Sequence, residues 1–72
     1  MYRYKFASLI DDAVMDCLAY GSGKARHSDP TNGVTIDVWA EWMENETDIQ
    51  ITVLENSIVR FQFTDKVPEE FR

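Results

Sequence analysis

The residues able to do chemistry are few: one histidine, His27, one cysteine, Cys17, and a surplus of carboxylates. Nucleophilic catalysis needs a Ser, Cys or Thr held against a base that a third group orients, with the three supplied from separate elements. His27, Ser28 and Asp29 are instead consecutive, and Cys17 is remote from His27 in sequence. Paired carboxylates such as Asp11 with Asp12, or Glu44 with Glu46, fall where solvated acids are expected. A metal site made from them would be open and all-carboxylate, without calcium-loop spacing. Gly21, Gly23 and Lys24 match part of a phosphate-binding loop, but Leu18 and Ala25 stand where its first Gly and its Ser or Thr are required. The expectation is a protein that is not an enzyme and takes no cofactor or metal.

One small basic group remains, Lys24, Arg26 and His27, which could hold an anion or an acidic patch on a second copy. It lies in "GSGKARHSDPTNG", residues 21–33, which lacks periodicity and is rich in turn formers, so it reads as a flexible loop. Before it, Leu9, Ile10, Ala13, Val14, Cys17 and Leu18 recur at helical spacing, with Asp11, Asp12 and Asp16 on the other side. Ser8 is placed to cap this helix, with Asp11 in the capping-box position, and Gly21 or Gly23 to end it. Cys17 then reads as a buried free thiol. Residues 2–6, "YRYKF", alternate aromatic and basic as a short strand would, although Tyr2, Phe6, Ile10 and Ala13 also fit a longer helix.

After Asn32-Gly33 come three alternating segments at 34–42, 48–54 and 58–64. The fold class is therefore α+β: one helix on a three-stranded antiparallel meander with a short N-terminal strand, or without it if the helix is longer. It forms a single domain over residues 1–72, with 65–72 as a C-terminal tail. One face collects Val34, Ile36, Val38, Ala40, Trp42, Ile49, Ile51, Val53, Val59, Phe61 and Phe63. Matching Val53 to Val59 and Ile51 to Phe61 keeps Arg60 out of the core and leaves a three-residue turn, Glu55-Asn56-Ser57. The other face then carries Trp39, Leu54, Ile58 and Arg60 among Thr35, Thr52, Gln50 and Gln62. Asp37, Glu41 and Asp48 form its rim, and the acidic hairpin with Glu44 and Glu46 extends it.

Charge sets the functional class. Thirteen acids against seven bases give a net of −6, which opposes direct nucleic-acid binding because that relies on Lys and Arg displacing counterions. No run reaches the length of a membrane span, and the N-terminus lacks the pattern of a secretion signal, so a cytoplasmic location is expected, in the host if the protein is viral. Asn45-Glu46-Thr47 matches a glycosylation sequon that this location would leave unused. An apolar group around a Trp with an acidic rim has the composition of an interface. The expected function is a small acidic binding protein that docks on a basic surface of a protein partner through Asp37, Trp39, Glu41, Glu44, Glu46, Asp48, Leu54, Ile58 and Arg60. In size and charge it is similar to inhibitors that phages and mobile elements direct at host nucleases and CRISPR complexes, in which acids imitate phosphates. The alternative is an accessory protein that forms a homodimer through the same sheet face.

Overall fold

A computed structural model describes residues 6–67. Helix α1 spans Ala7–Tyr20, and four strands follow: β1 Ser22–Asp29, β2 Val34–Trp42, β3 Asp48–Glu55 and β4 Ile58–Lys66. They form one antiparallel sheet in the order β1-β2-β3-β4. The α+β class, the helix and the last three strands agree with the sequence reading. The loop does not, since most of residues 21–33 is strand β1. Residues 2–5 of the proposed N-terminal strand, and 68–72 of the proposed tail, lie outside the described residues, while Phe6 stands at the start of the helix and Asp65 and Lys66 belong to β4.

Strand β1 escapes the hydrophobic pattern because the helix lies directly on it. A Cβ on Gly23 would sit 2.1 Å from the Ala13 carbonyl oxygen and 2.7 Å from the Cys17 nitrogen. Only small side chains fit beneath the helix there, so the inward positions are Gly23 and Ala25, and the outward ones are Ser22, Lys24, Arg26 and Ser28. An apolar stripe is replaced by close backbone approach.

The helix buries Ile10, Ala13 and Cys17, the expected stripe, and ends as Gly21 turns left-handed at φ 95° and donates its N–H to the Cys17 carbonyl at 2.8 Å. Its start differs from expectation. Phe6, not Ser8, occupies the cap position and makes no side-chain cap bond. Phe6 is 7% exposed and its ring lies 6.1 Å from that of Phe61, so apolar anchoring sets where the helix begins. The core joins these residues to Ile36, Val38, Ala40, Ile49, Ile51 and Val53.

The last hairpin corrects the proposed register. Asn56 and Ser57 alone form the turn, with φ of 52° and 69°, the conformation of a type I′ hairpin. Glu55 opposes Ile58 and Leu54 opposes Val59; a bulge then intervenes, after which Val53 opposes Phe61 and Ile51 opposes Phe63. Arg60 is the extra residue. A two-residue turn and a bulge thus keep charge from the core as well as the three-residue turn would: the turn pairs Val59 with outward Leu54, leaving it 55% exposed, and the bulge returns Phe61 to the inner face.

Candidate functional site

Strand alternation separates the two tryptophans as expected. Trp42 packs half-buried against the core, whereas Trp39 lies on the opposite face, 41% exposed, between cross-strand neighbours Lys24 and Thr52. Asp37, Glu41, Asp48 and Leu54 share its face by register. Gln62 donates from Nε2 to Thr52 Oγ1 at 2.7 Å, tying β3 to β4 beside it.

Two residues expected on this face do not join it. Ile58 opposes Glu55, two positions on from core residue Val53, and stands 72% exposed at the hairpin. The Arg60 guanidinium pairs with Glu55. Both Arg60 and Glu55 border a cleft of about 620 Å³ beneath the start of the helix, with Phe6, Leu9, Val34 and Ile36 as its apolar part and His27, Asp29 and Asn32 on the β1 side.

The basic group is also divided. Lys24 and Arg26 share the Trp39 face, and His27 faces the cleft, because consecutive strand residues point to opposite sides. Arg26 donates from Nε to Asp37 Oδ1 at 2.7 Å and from Nη2 to Oδ2 at 3.5 Å. That hydrogen bond first, and the Asp37 charge second, push the Arg26 guanidinium still further up. Lys66 opposes Asp48. The centre of the Trp39 face is consequently close to charge balance.

Several further acids lie together at one end of the molecule. The helix ends near Ser22, which opposes Glu41, and Asp16 and Tyr20 line a shallow groove of about 270 Å³ with Ser22, Gly23, Lys24 and Trp39. The β2–β3 hairpin adds Glu44 and Glu46 at this end, both exposed. That hairpin is rigidly tied: Met43 N–H donates to the Asp48 carbonyl at 2.9 Å, and Asn45 Oδ1 accepts from the Thr47 and Asp48 N–H groups at 3.1 and 3.2 Å. Asp48 Oδ2 accepts from Asn45 Nδ2 at 3.0 Å. Among the described residues, Asp16, Glu41, Glu44 and Glu46 are in no ion pair.

Sequence reasoning missed Asp16 and Tyr20 as members of this end. Tyr20 is 84% exposed, and the i, i+4 spacing of Asp12, Asp16 and Tyr20 on one stripe was the available signal. Cys17 lies in the core rather than at this end. It is buried, and burial, then the negative charge of Glu41, push its thiol up. Among the described residues no cluster of three His, Cys, Asp or Glu could hold a metal, and no helix is long and apolar enough to cross a membrane. No protein-family model, curated protein or solved structure matches the chain.

Proposed function

We propose that this chain is a non-catalytic binding protein that docks its acidic end on a basic surface of a protein partner. The observation that carries the reading is the set Asp16, Glu41, Glu44 and Glu46, acids without ion pairs gathered at one end beside the exposed rings of Trp39 and Tyr20. Unpaired acids project a field that steers a basic partner into contact, and large aromatic side chains supply apolar burial once contact is made. The α1 C-terminus points its negative dipole end the same way and has no basic residue in its last turn. A partner surface rich in Lys and Arg is commonly one that holds phosphates, so inhibition of a nucleic-acid-binding complex is the use that fits this chemistry.

The test is capture from cells that contain the source protein, followed by affinity measurement on the identified complex. Changing Glu41, Glu44 and Glu46 together to Gln should slow association and flatten its salt dependence, while Trp39→Ala should speed dissociation. A complex that is insensitive to salt and to these changes would refute the reading. Sedimentation of the pure chain decides the homodimer alternative: a dimer dissociated by Trp39→Ala would assign the sheet face to self-association.

A further inference from the structure

Three asparagines, Asn32, Asn45 and Asn56, are held in different ways. Asn45 Oδ1 accepts two main-chain N–H groups, as described above. Asn56 Oδ1 accepts the Thr35 N–H at 2.9 Å, and the Asn56 N–H donates to the Thr35 carbonyl at 2.8 Å. Both side-chain carbonyls are therefore fixed by backbone. The Asn32 side chain is anchored through its nitrogen, Nδ2 donating to Oδ2 of half-buried Asp29 at 2.7 Å. The next residue is Gly33, exposed and left-handed at φ 64°, whose N–H reaches the Pro30 carbonyl at 3.3 Å, beyond the usual range.

We propose that Asn32 is a site of spontaneous modification in the folded chain, deamidation through Gly33, and that the Asp29 carboxylate restrains it. In this step the Gly33 main-chain nitrogen, after losing its proton to solvent, attacks Asn32 Cγ. The new N–Cγ bond forms as the Cγ–Nδ2 bond breaks and ammonia departs with a proton, leaving a cyclic imide. Water opens the imide at either carbonyl to give aspartate or isoaspartate, and no oxidant or reductant is consumed. Gly33 lacks the side chain that would hinder ring closure, and Asn32 Cγ must first swing away from Asp29. The consequence is local and electrostatic. A carboxylate replaces the donor that faced Asp29, so attraction becomes repulsion in the turn between β1 and β2, at the rim of the cleft lined by His27, Asp29 and Asn32.

The experiment incubates the full chain in mildly alkaline buffer and maps the mass gain that comes from replacing the side-chain NH2 by OH, by peptide mass spectrometry with isoaspartyl methyltransferase labelling. In the folded wild type, Asn32 should convert ahead of Asn45 and Asn56. Earlier conversion at either of those would overturn the proposal, as would an unchanged Asn32 over a period in which the denatured chain converts. Asp29→Ala should accelerate Asn32 about tenfold, the population effect of losing one hydrogen bond to a charged group, with Asn45 and Asn56 unchanged. An Asn32 rate that does not rise in Asp29→Ala would overturn the restraint.

Discussion

Replacing Gly23 by Ala tests the contact on which the helix and β1 depend. The new methyl would lie 2.1 Å from the Ala13 carbonyl oxygen, and 2.7 Å from both the Asp16 Cβ and the Cys17 nitrogen. Two of those atoms are helix backbone and cannot rotate away, so the helix must lift from the sheet. Overpacking of this kind costs about 1–3 kcal/mol, and rigid neighbours place Gly23→Ala at the upper end, near ~3 kcal/mol. Domains of this length have roughly 4–11 kcal/mol in total by the usual per-residue stability. With a urea slope of about 1 kcal/mol per molar for so small a chain, the midpoint should fall by roughly 2–3 M. Gly21→Ala is the control: nothing lies within 4 Å of its Cβ position, and only its φ of 95° opposes a side chain, which costs about 1–2 kcal/mol. Urea denaturation followed by circular dichroism ranks the two. If Gly23→Ala were as stable as the wild type, or Gly21→Ala the worse of the pair, the close packing of α1 on β1 would be refuted.

Further expectations follow from the same contacts. Trp42→Ala should cost about 2–3 kcal/mol, below the value for a fully buried ring, while Trp39→Ala should cost under about 1 kcal/mol; acrylamide quenching of each single-Trp variant should find Trp39 the more accessible. Asn56→Ala removes the bond to the Thr35 N–H and puts Ala at positive φ, for a loss of about 2 kcal/mol, and Asn56→Gly should recover part of it; chemical denaturation checks both. The Asn32 hydrogen bond is the main cause holding the Asp29 carboxyl below the usual carboxylate range. Its stabilisation is therefore present above that range and lost as pH falls through the lowered folded value. An NMR titration of Asp29 should move back toward the ordinary range in Asn32→Ala.

How much the sequence disclosed depended on whether side chains or backbone made the contact. The faces of β2 and β3 were legible because Ile36, Val38, Ile51 and Val53 alternate with polar residues, and so was the separation of Trp39 from Trp42. Strand β1 was not legible: where a helix rests on glycine, close approach leaves no apolar residue to signal it. The same omission put Lys24, Arg26 and His27 into one loop cluster, when a strand sends His27 to the other face. The Val59 assignment failed on the length of the turn, and the Arg60 assignment on a single bulged residue, which reverses facing within one strand without altering its composition. In the candidate site, Trp39, Glu41, Glu44 and Glu46 could be found from hairpin sequence, but Asp16 and Tyr20 arrive from the helix. Their proximity to Glu41 is a property of the helix-to-β1 turn at Gly21.

The order β1-β2-β3-β4 means that every strand pairs with its sequence neighbours, and no strand partner is farther along the chain than Ser22 is from Glu41. Loop closure is then a succession of short steps, each hairpin offering a template for the next, and the helix docks mainly on the two strands that follow it. The sheet can therefore close without waiting for any distant segment to return.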